Sequence, residues 1–362
     1  MQNHRNDKLQ ALQVMRAFAA LGVLLWHASI FTGPYGEGIG TALFHAPSVM
    51  GVDLFFVVCG FVIYLSSTKR TESGVVPISP AVFLIKRLAR ILPLYVACTL
   101  ALFLIERGSE RQTWELLFRS LAFIPTHNAD QPNIFSPTMT VGWSINYEVY
   151  FYILFSIALL FRQQFWKPLL SWSLVIFVAA STLGQAPAIL HIVTHPINLL
   201  FLSGILLGAL YRSDVRFPNK WTAIAAVIMA PVPILIQYVG KIGIEHGFAG
   251  VGGSLVFMVA LTTIADKSLN MRCNRVLTYL GDISYSIYLT HPIVMWGVMW
   301  ANEYFAWGNP MGGWICVGAT LVATIGVSAL SYRFMEMGIS VRAREWALEK
   351  LRTRRGYAVT AS

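Results

Sequence analysis

Long apolar stretches separated by short polar segments run through almost the whole chain. A membrane-spanning helix needs about 20 mostly apolar residues. Stretches of this kind lie near 12–31, 50–67, 91–106, 142–161, 168–184, 193–211, 221–239, 246–264, 284–301 and 311–334. The pattern predicts an all-α fold, a polytopic transmembrane bundle of about ten helices.

Composition supports the membrane class. Of the 362 residues, 56% are hydrophobic and 12% are charged, with a mean hydropathy of +0.60. A soluble domain carries about twice that share of charged residues. Because the sequence has no repeat or Pro/Gly-rich linker, we expect one transmembrane domain over residues 1–340 and a basic cytoplasmic tail over residues 341–362.

The net charge of +10 is explained by membrane sidedness better than by a nucleic-acid partner. With a cytoplasmic N-terminus, 23 of the 27 Lys and Arg residues fall on the cytoplasmic side, and the other four are Arg107, Arg111, Arg119 and Lys241. This split places both termini in the cytoplasm. The four cysteines have no metal-like spacing, so neither a metal site nor a structural disulfide is expected.

Arg16 and His27 lie on the first predicted helix. His27 comes eleven positions after Arg16, which returns it to nearly the same face, about 16 Å further along the axis. Arg16 fits a cytoplasmic anchor equally well. A histidine deep in a span is uncommon, which favours a functional His27 over a neutral histidine satisfied by one hydrogen bond.

Ser144, Glu148 and Tyr152 follow one another at intervals of four and therefore share one helix face. In the predicted topology Glu148 lies about 10 Å below the outer surface, at a depth similar to that of His27. A carboxylate and a histidine at one level suit a base and its orienting partner. A structural contact that locks two helices is the alternative.

Two further ionisable residues have two readings each. Asp53 is predicted near the start of the second helix, where an acidic side chain can cap the helix or support catalysis. His291 precedes Pro292, which opens the helix locally, and both a functional and a structural histidine fit there.

Residues 79–90 alternate apolar and basic faces, which predicts a short amphipathic helix on the cytoplasmic surface that leads into a span near Pro93. Within it, Lys86, Arg87 and Arg90 form a compact basic patch. Such a patch can bind phosphates, although each residue alone also fits a flank that touches anionic lipid head groups.

These motifs together resemble the membrane acyltransferase-3 family. The resemblance rests on Arg16-x10-His27, on Gly51 to Phe61, on Lys86-Arg87-x-x-Arg90 before Pro93, on Trp143-Ser144 to Glu148 and Phe151-Tyr152, and on Ser284-Tyr285 to His291-Pro292. The five motifs occur in the family's order and span nearly the whole chain. Cys59 stands where the family more often has Ser, which argues against a serine nucleophile there.

The resemblance implies an O-acetyltransferase in the bacterial inner membrane. Its co-substrate is expected to be cytoplasmic acetyl-CoA, and its acceptor a surface polysaccharide or a lipid-linked precursor of it. Catalytic roles are expected for His27, Glu148 and Asp53, and donor binding for Arg16, Lys86, Arg87 and Arg90. Contact with the substrate, or support of the site, is expected for Trp143, Ser144, Tyr147, Tyr152, Tyr288 and His291.

The chemistry implied has two forms. His27 either takes the proton from the attacking sugar hydroxyl or carries the acetyl group transiently. A competing function is a proton-coupled transporter with His27 and Glu148 as the relay, although no matching pair of broken helices marks two chain halves. A third hypothesis is a partner of a lipid or polysaccharide flippase that serves only as a scaffold for the glycan machinery.

Overall fold

The computed structural model describes residues 9–35, 39–71, 74–109, 112–126, 136–182, 187–305 and 310–354. The α-helices within these ranges are α1 Gln10–Ala28, α2 Ile39–Ser67, α3 Pro80–Ile105, α4 Trp114–Leu121, α5 Trp143–Leu159, α6 Trp166–Thr182, α7 Ala188–Thr194, α8 Asn198–Arg212, α9 Lys220–Met229, α10 Val232–Gly240, α11 Gly253–Leu269, α12 Arg275–Asp282, α13 Ser284–Phe305, α14 Pro310–Ser331 and α15 Ser340–Arg354. Strands β1 Thr68–Thr71 and β2 Gly74–Pro77 form an antiparallel hairpin.

The protein is a helical, multi-pass membrane protein. Within the described ranges, seven helical segments are long and apolar enough to cross a bilayer, fewer than the ten expected. Helices α5 and α6 have 17 residues each, which corresponds to about 25 Å. Helix α13 is longer, but its first two turns carry serine, threonine, tyrosine and histidine. The exact number of crossings and the cytoplasmic termini remain predictions.

Three helix boundaries differ from the sequence expectations. Helix α3 continues through Pro93, so the amphipathic segment and the span after it form one helix. The expected spans 193–211 and 221–239 are each interrupted before a proline, at Pro196 and at Pro231, which lacks the amide that would continue the helix. The C-terminal segment continues α14 through a π-helical stretch, Tyr332–Ile339, into α15.

The chain divides into two compact units that interleave along the sequence. Unit 1 comprises Met1–Ser66 and Pro196–Ile325, and unit 2 comprises Ser67–His195 and Gly326–Ser362. In unit 1, α1 packs against α12 and α13, and α11 packs against α8 and α9. In unit 2, α5 packs against α3, α6 and α7, and α15 packs along α3. The expected division into residues 1–340 and 341–362 remains a prediction.

Glycines allow α2 to pack closely against α8. A Cβ atom added at Gly60 would meet the backbone carbonyl of Phe201, and one added at Gly204 would meet the backbone carbonyl of Val57. Neither backbone can move aside as a flexible side chain would. Small residues at such contacts drive helix association in membranes, where the apolar lipid tails remove the hydrophobic force between helices.

Two cationic side chains close helix C-termini in unit 1. Lys267 Nζ donates to the carbonyls of Tyr211, Ser213 and Val215, at 2.8, 2.6 and 3.1 Å. Arg212 donates to the carbonyl of Leu65 at 2.5 Å. The last carbonyls of a helix lack intrahelical partners and carry partial negative charge. These two cations, predicted only as cytoplasmic flanks, therefore also hold the ends of α8 and α2.

We expect Gly204→Ala to destabilise unit 1 by about 1–3 kcal/mol, because the new methyl group must displace the α2 backbone. Thermal unfolding of the purified protein in detergent measures the effect. Gly318→Ala is the matched control, because nothing lies within 4 Å of its added Cβ. Equal melting temperatures for the two variants would contradict the close packing of α2 and α8.

Candidate active site

The two predicted histidines of unit 1 lie side by side. The ring centroids of His27, on α1, and His291, on α13, are 4.9 Å apart. His27 is half-buried, whereas His291 is fully buried. Tyr288 packs near this pair, with its ring centroid 6.1 Å from that of His291 and 6.0 Å from that of Phe55 on α2.

Backbone carbonyls determine the tautomer of both histidines. His27 Nδ1 lies 2.9 Å from the carbonyl of Val23, and His291 Nδ1 lies 3.2 Å from the carbonyl of Ile287. A carbonyl only accepts hydrogen bonds, so each Nδ1 carries the proton. In the neutral ring, each Nε2 then presents its lone pair. This is the form that a general base requires.

Asp53 does not pair with His27. Its carboxylate is fully buried and accepts from His246 Nδ1 at 2.7 Å and from the amide of Gly247 at 2.8 Å. The capping interpretation is also incorrect for α2, because Asp53 lies near the middle of that helix. The residue instead anchors the turn that leads into the π-helical segment Phe248–Gly252.

The packing register of α1 and α2 separates Asp53 from the histidine pair. A Cβ at Gly22 would meet Pro47, and one at Gly51 would meet Ala19, so the two helices run antiparallel with Ala19 level with Gly51. His27 is eight residues beyond Ala19 in one direction, and Asp53 is two residues beyond Gly51 in the other. Their backbones are therefore about 15 Å apart along the axis.

Asp53 also points to a different side of α2. Successive residues of an α-helix are rotated by about 100°. Asp53 is two residues from both Gly51 and Phe55 and therefore lies on nearly the opposite side of the helix from each of them. Gly51 and Phe55 face α1 and α13. Asp53 shares its face with Gly60, seven residues on, which packs against α8.

The register predicts that Asp53 and His246 are energetically coupled and that Asp53 and His27 are not. A double-mutant cycle with Asp53→Asn and His246→Asn, followed by chemical unfolding, should give a coupling free energy of about 1 kcal/mol or more. The matched cycle with Asp53→Asn and His27→Asn should give a value near zero. Equal coupling free energies in both cycles would show that Asp53 interacts with His27 as strongly as with His246.

In unit 2, Glu148 is hydrogen-bonded to Tyr152, and Arg87 lies over the ring of Tyr152. The hydroxyl of Tyr152 donates to Glu148 one turn earlier on α5. The Arg87 guanidinium of α3 lies 6.0 Å from the Tyr152 ring centroid and 5.7 Å from that of Phe83. This confirms that Glu148 and Tyr152 share a face. The predicted pairing of Glu148 with His27 joins residues of the two units and remains a prediction.

The basic patch has side chains in different environments. Arg87 is buried, Arg90 is half-buried and Lys86 is exposed. Arg87 therefore faces the helix packing around Tyr152, and only Lys86 is directed outward. Arg16, on α1 in unit 1, is half-buried and donates to Gln13 one turn earlier at 3.1 Å.

Trp143, Ser144 and Tyr147 lie at the start of α5. Ser144 is buried and donates to the carbonyl of Val141 at 3.3 Å, a local contact at the helix start. The ring centroid of Tyr147 lies 5.9 Å from that of Trp143 and 5.5 Å from that of His195. His191 lies 5.1 Å from His195 by ring centroid.

The sequence interpretation missed His191, His195 and His246. The first two are four residues apart, and this helical spacing was available as a signal. His246 had no such signal, because its partner Asp53 is 193 residues away in sequence. Among the described residues, no group of three or more His, Cys, Asp or Glu side chains is positioned to hold a metal ion.

A family model for the Acyltransferase domain (Acyl_transf_3) matches residues 9–333. The chain belongs to this family. It is an acyltransferase, as the resemblance predicted. The match covers every residue assigned above to a candidate catalytic or binding role.

Curated relatives agree with this assignment. The chain is 27% identical over 330 residues to the exopolysaccharide production protein ExoZ of Rhizobium meliloti, covering 89% of this chain and 96% of that protein. It is 24% identical to the O-acetyltransferase OatA of Staphylococcus aureus, covering 91% of this chain but 57% of OatA. The acyltransferase MdmB of Streptomyces mycarofaciens is 24% identical, over 80% of this chain and 79% of MdmB. No solved structure matches the chain.

Proposed function

We propose that this acyltransferase transfers an acetyl group from cytoplasmic acetyl-CoA to a hydroxyl of a surface polysaccharide or its lipid-linked precursor, in the bacterial inner membrane. The observation that carries the proposal is the fixed tautomer of His27. Its Nδ1–H is held by Val23, and its Nε2 has the lone pair needed to accept a proton. The names of ExoZ and OatA support a glycan acceptor and an acetyl group.

In the proposed reaction, His27 Nε2 removes the proton of the acceptor hydroxyl while the oxygen attacks the thioester carbonyl of acetyl-CoA. The carbon–sulfur bond then breaks, and the sulfur receives the proton, so that CoA leaves as the thiol. The Val23 carbonyl takes the orienting place that a carboxylate occupies in a catalytic triad. It fixes the ring and leaves Nε2 for the substrate.

In unit 2, the donor would be bound by Lys86, Arg87 and Arg90, and the donor-binding role of Arg16 in unit 1 stays a prediction. Acetyl-CoA carries a diphosphate and a 3′-phosphate, which arginine binds through paired donors and lysine through its point charge. The exposure of Lys86 and the partial exposure of Arg90 suit these phosphates. Arg87, buried beside Tyr152, suits a place further along the donor route, where it would balance the charge of Glu148.

We expect His27→Gln to abolish acetyl transfer while leaving acetyl-CoA binding intact, because the amide cannot accept the hydroxyl proton. Loss of a general base lowers the rate by about 10²–10⁴-fold. Transfer of radiolabelled acetyl groups to glycan in membrane vesicles measures the rate. His45→Gln is the matched control, because His45 is an exposed histidine of the same unit. Parental turnover in His27→Gln would remove His27 from the chemistry.

Acetyl-CoA should raise the melting temperature of the purified protein in a saturable manner, because a ligand stabilises the state that it binds. Arg90→Ala should raise the Kd for acetyl-CoA, obtained from this titration, by about 10–100-fold. This change corresponds to the loss of one or two charge-assisted hydrogen bonds. Lys220→Ala, at an exposed lysine stacked on Trp221, should bind as the parent does. A transporter or scaffold that does not use CoA would show no shift at millimolar acetyl-CoA.

A further inference from the structure

His291 has a polar atom that the fold leaves unsatisfied. Its ring is fully buried, and Nδ1–H is bonded to the carbonyl of Ile287, with the Tyr288 carbonyl as a second backbone partner. Pro292 follows in the helix and has no amide to donate to the Tyr288 carbonyl. The Nε2 atom of His291 is also buried and has no hydrogen-bond partner among the described residues.

A purely structural histidine does not account for this atom. Leaving a buried acceptor without a partner costs about 1–3 kcal/mol, and the Nδ1 contacts already provide whatever stabilisation the backbone can gain. The partner of an orphaned buried acceptor has to come from outside the described residues, and a proton donor that arrives during the reaction is one such partner. The nearest titratable ring that the structure shows is that of His27, 4.9 Å away by centroid.

The two rings are arranged so that only one kind of contact can form between their nitrogens. Both Nδ1 atoms are committed to carbonyls of their own helices, which leaves Nε2 of each ring with a lone pair. A ring-centroid separation of 4.9 Å is short enough for an N–H···N hydrogen bond between two imidazoles once one Nε2 carries a proton and the rings turn toward each other. Two lone pairs repel each other, whereas one added proton turns the pair into an N–H···N hydrogen bond.

We propose that His27 and His291 hold one proton between their Nε2 atoms during acetyl transfer. This proposal rests on the proposed function and deepens it. The O–H bond of the acceptor breaks and its proton goes to His27 Nε2, while the oxygen bonds to the acetyl carbon. The protonated His27 ring then turns within its contact to Val23, so that its Nε2–H leaves the substrate oxygen and donates to His291 Nε2. When the carbon–sulfur bond breaks, the electron pair goes to sulfur and the proton follows from His27, so that CoA leaves as the thiol.

The second imidazole meets a need created by burial. An isolated imidazolium in an apolar interior loses most of its hydration, and this makes proton removal by a single buried histidine unfavourable. A hydrogen bond with a charged donor is about twice as strong as a neutral one. His291 supplies the acceptor for that bond without adding a carboxylate, which would itself need a partner in the resting state. His291 is thus a positioning residue, and His27 is the catalytic residue.

The test compares two substitutions, each of which replaces one of the two ring nitrogens of His291 with an amide group. His291→Asn keeps a donor at the place of Nδ1 for the Ile287 carbonyl but has nothing at Nε2. His291→Gln places an amide oxygen near Nε2, where it accepts from protonated His27. We expect both variants to bind acetyl-CoA with the parental Kd in thermal-shift titrations. The kcat of His291→Asn should fall at least tenfold, and that of His291→Gln should recover a substantial part of the loss.

A structural role predicts the opposite order, with His291→Asn active and His291→Gln impaired, and this result would overturn the proposal. If His291→Asn does not fold, His291→Leu takes its place, and equal kcat for the Leu and Gln variants would count against the shared proton. His27→Gln separates this proposal from the function itself. An active His27→Gln protein would refute the proposed site, whereas an inactive one together with a fully active His291→Asn protein would refute only the shared proton.

Discussion

Close contact of helix α2 with the helices on both of its sides is the constraint on which unit 1 depends. Gly51 lies against the backbone of α1, and Gly60 lies against the backbone of α8. In a bilayer, apolar surface alone does not favour one helix arrangement over another, because lipid tails are equally apolar. Contacts between backbones therefore determine the register, and the register determines which side chains share a level and a face.

This register divides the polar residues of unit 1 into two groups. Helices α1 and α13 bring His27 and His291 together, while the other face of α2 presents Asp53 to His246 and Gly247. In the first group, His291 Nε2 is a buried acceptor without a hydrogen-bond partner among the described residues. In the second group both carboxylate oxygens have partners. This difference is the reason for proposing the chemistry at the histidine pair and a stabilising contact at Asp53, although both groups consist of ionisable side chains inside a membrane protein.

The sequence predicted the elements of this arrangement better than their contacts. Apolar length and the distribution of lysine and arginine identified a helical membrane protein, and the spacing of Glu148 and Tyr152 correctly placed both on one face. The capping role of Asp53 was wrong because helix α2 begins at Ile39, well before the apolar stretch that marked its predicted start, whereas its catalytic role stays a prediction. Its true partner is 193 residues away, and no local periodicity indicates a contact across that distance. At Pro93 the sequence predicted a change from a surface helix to a span, but α3 runs through this residue without a break. A proline within a long helix is tolerated where neighbouring helices support it.

Helix geometry gives a histidine in a span the tautomer that the proposed base requires. A histidine side chain on a helix can reach back to the carbonyl four residues earlier, as His27 does to Val23 and His291 does to Ile287. This contact keeps the proton on Nδ1 and leaves the lone pair on Nε2. A carboxylate would stabilise the imidazolium but would also have to be paired in the resting protein. In the proposed mechanism a second histidine avoids that requirement, because it is neutral until a proton arrives, and the charged state forms only in the step that uses it.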